Sequence, residues 1–183
     1  MIETQCKHCN GKFEIEDDKM GKNVECPSCG ERFNAAETPE KKYDKAVNNL
    51  GIAVGLSVIN LILNLAGSEW SFWFSLWCTD ILTGFEGIGI AASIILLIVY
   101  GVMFFVAKQN RTVFSAAFVM VCLDTLIGGI LIVLALKYSE NTNDTADLVK
   151  IAIFGTIFHC WLLWEMGKGI AAARKMNNNL IID

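Results

Sequence analysis

Two apolar patterns divide the chain. Up to residue 35, apolar positions stand singly between polar ones. Lys12-Phe13-Glu14-Ile15-Glu16 alternates, residues 17–22 read as a turn containing Gly21, and Asn23-Val24-Glu25 returns as a strand. Four long apolar runs follow, at residues 46–66, 87–107, 113–136 and 148–166. At about 1.5 Å per residue, each crosses a hydrocarbon core of roughly 30 Å. A helix of a soluble bundle needs a polar face, and none of the runs carries a continuous one. The pattern predicts an α-helical membrane protein: a four-TM bundle within residues 46–176 behind a small N-terminal β domain, residues 1–37. A charged linker at 38–45 and a tail at 177–183 complete it.

Composition sharpens this. Of the 183 residues 54% are apolar and 19% charged, with two prolines, a mean hydropathy of +0.44 and a net charge of −4. Those values exclude disordered, collagen-like and nucleic-acid-coating chains. The basic residues sort by loop. Lys41, Lys42 and Lys45 precede the first run, Lys108 and Arg111 separate the second and third, and Lys168, Arg174 and Lys175 follow the fourth. Residues 67–86 hold no Lys or Arg, and residues 137–147 only Lys137. Positive residues favour the cytoplasmic side, so a multi-pass protein of the inner (plasma) membrane with both termini cytoplasmic is expected. The polar, cysteine-bearing N-terminus does not read as a signal peptide.

Within the first outer loop, Trp70, Trp73 and Trp77 recur three or four residues apart. On a helix the indoles share one side, which suits an interfacial segment, residues 69–85, lying among headgroups with its N–H groups wet. A re-entrant segment and a partner-binding surface are the alternatives. Cys78 is expected alone on the outside, with Asp80 and Glu86 hydrated nearby.

The head carries the clearest chemistry. Cys6-Lys-His-Cys9 and Cys26-Pro-Ser-Cys29 are two C-x2-C knuckles, each followed by an aromatic in the repeat C-x2-C-x3-F. Two thiolates three positions apart on a tight turn can reach one metal, and a second turn completes a tetrahedron. Gly11 and Gly30 fall just past the knuckles, where a positive φ is useful. Phe13, Ile15, Val24 and Phe33 supply a small apolar face. So small a head needs the metal to fold.

These residues resemble the bacterial zinc ribbon over residues 2–35. The first knuckle reads Cys-Lys-His-Cys-Asn where the family has Cys-Pro-x-Cys-Gly. The resemblance implies a structural Zn²⁺ on Cys6, Cys9, Cys26 and Cys29, and no particular task. Iron in a rubredoxin-like site is the rival metal. His8 is read as a solvent-facing spacer, and disulfides are disfavoured in the cytoplasm. Residues 1–40 carry five basic and nine acidic side chains. Nucleic acid is therefore excluded as a partner, and a basic or zwitterionic protein surface is favoured.

Ionisable groups inside the hydrocarbon are functional candidates. Asp124 and His159 sit at similar depth on the third and fourth runs, within reach of each other, and Cys122 and Cys160 are close in sequence. Asn60 and Asn64 share a face of the first run. Either these groups cross-link the bundle, or they form a proton relay, a cation site or a second metal site. Gly51-x3-Gly55 with Ser57, and Gly84 with Gly87, are small-residue faces suited to close helix approach. No Walker loop, GxSxG, HExxH or paired acidic motif occurs, so an enzyme is not expected. The sequence points to a bilayer-embedded protein presenting its ribbon to an unidentified protein partner or a second copy. The alternative is a small transporter or channel using Asp124 and His159.

Overall fold

A computed structural model describes residues 1–19, 21–35, 37–68, 75–83, 87–138 and 142–179. The head is two antiparallel hairpins, β1 (Ile2–Gln5) with β2 (Lys12–Ile15) and β3 (Asn23–Glu25) with β4 (Arg32–Asn34). Thr4 faces Phe13 in the first register and Val24 faces Phe33 in the second. Cys6, Ile15, Val24, Cys26, Phe33 and Ala35 form a separate core, with Phe13 edge-on to Phe33 at 6.0 Å. So few buried side chains hold little folding free energy without a staple.

The remainder is helical: α1 (Pro39–Leu65), α2 (Trp77–Thr83), α3 (Ile88–Ala107), α4 (Arg111–Tyr138) and α5 (Thr142–Asn179). Among the described residues, α1, α3 and α4 are long and apolar enough to cross a membrane. Ile62, Ile98, Val102, Leu126 and Val133 are more than half exposed, while Asp124 and His159 are buried. That inversion fits hydrocarbon surroundings and would be costly in water.

The helix ends depart from expectation. Within residues 38–45, expected as a linker, α1 already starts at Pro39. Thr38 Oγ1 accepts from the Lys41 N–H at 3.2 Å, Pro39 occupies the first helical position and Glu40 the first turn. Tyr43 is buried there, donates its hydroxyl to the Ala107 carbonyl at 2.6 Å and meets the Phe114 ring at 5.1 Å. The fourth apolar run is the middle of a 38-residue helix. Helix α5 continues into the expected tail as far as Asn179, because Ala172, Ala173 and Met176 join the same core as Tyr43 and Ala46. Residues 180–183, including Leu180–Ile182, lie outside the described residues.

The small-residue faces also sort differently. Gly51 backs onto the Phe104 ring and Gly55 meets open space, so the pair does not act as one face; Gly84 lies outside the described residues. The tight helix crossing is at Gly169, where an added Cβ would lie 2.5 Å from Ala46 Cβ and 2.9 Å from the Phe114 ring. Neither neighbour can rotate aside. Gly169→Ala should therefore destabilise by about 1–3 kcal/mol in detergent unfolding. Gly167→Ala, two residues away in open space, should be neutral or stabilising by up to about 1 kcal/mol.

Candidate functional site

Each cysteine knuckle closes by the same pair of backbone bonds. The Cys6 N–H donates to the Gly11 carbonyl at 2.9 Å, and the Asn10 N–H to the Cys6 carbonyl at 3.0 Å. Their counterparts are Cys26 to Glu31 at 2.9 Å and Gly30 to Cys26 at 2.8 Å. The residue after each second cysteine is left-handed, Asn10 at φ 57° and Gly30 at φ 71°. Gly11 does not have that role. Asn is among the few side chains that tolerate this conformation, so the first knuckle turns without a glycine there. Gly11 is small for another reason: a Cβ would sit 3.1 Å from Ser28 Oγ and 3.3 Å from Cys9 Sγ.

The knuckles bring four sulfurs together. Cys6 Sγ lies 3.8 Å from Cys29 Sγ and Cys9 Sγ 3.6 Å from Cys26 Sγ, and all four sulfurs fall within 4.8 Å of one another. A tetrahedral ion with metal–sulfur bonds of about 2.3 Å separates its ligands by roughly 3.8 Å. The cluster can therefore hold a metal ion with the hairpins as they stand, and no disulfide joins its members. His8 is exposed and adds only its backbone N–H, 3.4 Å from Cys6 Sγ. Burial raises the Cys26 thiol, but backbone amides of Ser28 and Cys29 aimed at its sulfur outweigh this and hold it at about 6. At Cys29 the Glu31 amide lowers the thiol, yet burial and the neighbouring sulfurs prevail and push it up to about 12. A bound cation would draw the thiol protons out of the cluster.

The second cluster lies among the helices. Asp124 and His159 do meet, Oδ2 to Nε2 at 3.1 Å, with 3% and 0% of each residue exposed. His159 Nδ1 is 2.9 Å from the Gly155 carbonyl, which can only accept. Nδ1 therefore carries a hydrogen and donates it there. Asp124 has a further task that its sequence position does not reveal. Its Oδ2 accepts the Trp77 N–H at 3.0 Å and its Oδ1 the Cys78 N–H at 2.9 Å. The carboxylate caps the first turn of α2 from another helix.

Residues 75–79 are tied on other sides too. The Leu76 N–H donates to Ser57 Oγ at 2.8 Å, Asn60 Nδ2 donates to Ser75 Oγ at 2.9 Å, and Ser93 Oγ donates to the Thr79 carbonyl at 2.8 Å. Asn60 belongs to this network; Asn64, expected beside it, is exposed. Trp77 does not lie with a wet indole among headgroups. It is 5% exposed, lies against the His159 ring at 4.4 Å, and its buried Nε1 has no partner among the described residues. Gly128 on α4 and Gly155 on α5 make its slot, since a Cβ on either would collide with the indole. Cys78 is half-buried against Asp124 instead of alone outside. Trp70, Trp73 and Glu86 lie outside the described residues, as does the side chain of Asp80.

Both Asp124 oxygens already face donors from the chain, which suits a cap and interhelix tie more than a cation seat. Cys160 is exposed, and among the described residues the four-cysteine cluster is the one metal-ligating group. No family model matches the chain, and no curated protein or solved structure matches it.

Two outcomes follow from these geometries. A stripped, reloaded protein should hold one metal ion per chain at neutral pH, read by elemental analysis. It should lose the ion on acidification, because protons compete for the thiolates, and Cys29→Ser should abolish tight binding. Asp124→Ala strands two buried amides and His159, so it should cost about 3–5 kcal/mol in detergent unfolding. Combined with His159→Gln, the loss should be less than the sum of the two single losses.

Proposed function

We propose that this chain is a multi-pass inner-membrane protein whose zinc ribbon is a cytoplasmic docking module for another protein or a second copy. In this reading α5 is the fourth span, through residues 148–166. The basic loops then put both termini in the cytoplasm. The ion is Zn²⁺, held structurally by Cys6, Cys9, Cys26 and Cys29. The observation that carries the reading is the closed set of four sulfurs, within 4.8 Å of one another, beside helices apolar enough to span a bilayer. A site that spends every tetrahedral position on thiolates leaves no place for a substrate, so its work is to hold a surface rigid. The same logic argues against an enzyme. The excess of acidic over basic side chains in the head argues against nucleic acid.

The rival reading, a transporter or channel, draws on the buried Asp124–His159 contact. The saturation of both carboxylate oxygens by the chain's own donors counts against it. Deleting residues 1–37 should leave membrane insertion unchanged and abolish cross-linking to the partner or second copy, as should Cys26→Ser with Cys29→Ser. Undiminished cross-linking would refute docking by the head. Proton or ion flux in liposomes, lost in Asp124→Asn, would favour the rival.

A further inference from the structure

The head contains a groove of about 570 Å³ between its two hairpins. Its floor is apolar, from Phe13, Ile15 and Val24, and its walls carry Glu14, Glu16 and Glu25. Met1 and Lys19 also line it, and the Lys19 ammonium is 3.1 Å from the Glu16 carboxylate. β2 and β3 belong to separate two-stranded sheets, so each has an outer edge that pairs with no described strand.

The register says which backbone groups those edges offer. Cys6 bonds Gly11, so the antiparallel alternation makes Thr4 and Phe13 a bonded pair and turns the N–H and C=O of Glu14 outward. Cys26 bonds Glu31, and Ala35 bonds Lys22, which likewise turns Asn23 and Glu25 outward on β3. Unused strand edges, an apolar floor and acidic walls meet in one place.

We propose that this groove binds an extended segment of a partner protein that alternates basic and apolar residues and adds as a strand to β2 or β3. This deepens the docking reading and rests on it. Main-chain bonds would supply affinity, alternate side chains would enter the floor, and charge complementarity would select basic over acidic segments.

The test uses the full, metal-loaded chain in phosphatidylcholine nanodiscs, which do not attract cationic peptides, and fluorescent probe peptides read by anisotropy. A short alternating Lys–Val peptide should bind saturably, and more weakly as salt rises. The same peptide with alternate amides N-methylated should not bind, nor should a Glu–Val peptide. Glu14→Lys with Glu25→Lys should weaken binding about tenfold or more. Glu31→Lys with Glu40→Lys, the same change of charge away from the groove, should have a much smaller effect. Metal content is measured for every variant, to show that the ribbon is intact. No binding by the Lys–Val peptide, equal binding of the N-methylated peptide, or equal losses from the two charge reversals would each overturn the proposal. If the groove fails while deletion of residues 1–37 still abolishes partner cross-linking, docking uses another face of the head. If that deletion changes nothing, the docking reading itself falls.

Discussion

A backbone amide removed from water must find an acceptor, and the first amides of any helix have none within their own helix. Helix α2 starts inside the helical core, so its first turn would be an unpaid debt at the worst place in the molecule. Asp124 supplies the acceptors: one oxygen for Cys78 and the other for Trp77, the second also lying within hydrogen-bond distance of His159. A carboxylate suits this position because a neutral side-chain amide offers one accepting oxygen and would turn its own N–H groups toward the others. The contacts from Ser57 and Asn60 on α1 and from Ser93 on α3 extend the same solution. Helices α1, α3, α4 and α5 are thereby all referenced to a few residues in and just before α2. Trp77 then fills the slot that glycines open between α4 and α5.

That arrangement changes what the buried ionisable pair means. An aspartate and a histidine in hydrocarbon invite a transport mechanism. Here the same side chains satisfy the start of α2 and hold the imidazole against Gly155. Their presence is accounted for by polar groups that have no water to turn to.

The head solves a different problem. The six buried side chains among its described residues offset little of its conformational entropy, so a metal on the four sulfurs would supply much of the folding free energy. A fold held from its turns leaves its strands comparatively free. With two strands in each sheet among the described residues, β2 and β3 keep outer edges that a larger domain would cover.

Local rules carried much of this into the sequence. The spacing of Cys6, Cys9, Cys26 and Cys29 dictates one shared site, and the alternation around Phe13 and Val24 dictates hairpins, because both depend on neighbours along the chain. Apolar runs mark the helices for the same reason. Even the start of α1 was legible in Thr38-Pro39-Glu40, and the left-handed Asn10 in the alignment of the two knuckles, although charge and glycine distracted from both. What only the tertiary structure decided involves residues far apart in sequence. Whether Trp77 is wet or buried depends on Gly128 and Gly155, whether Asp124 is a cap depends on where α2 begins, and Asn60 is separated from Asn64 by the position of Ser75. Amide capping and side-chain burial across helices are set by the meeting of several surfaces, and no periodicity within one segment encodes which surface arrives.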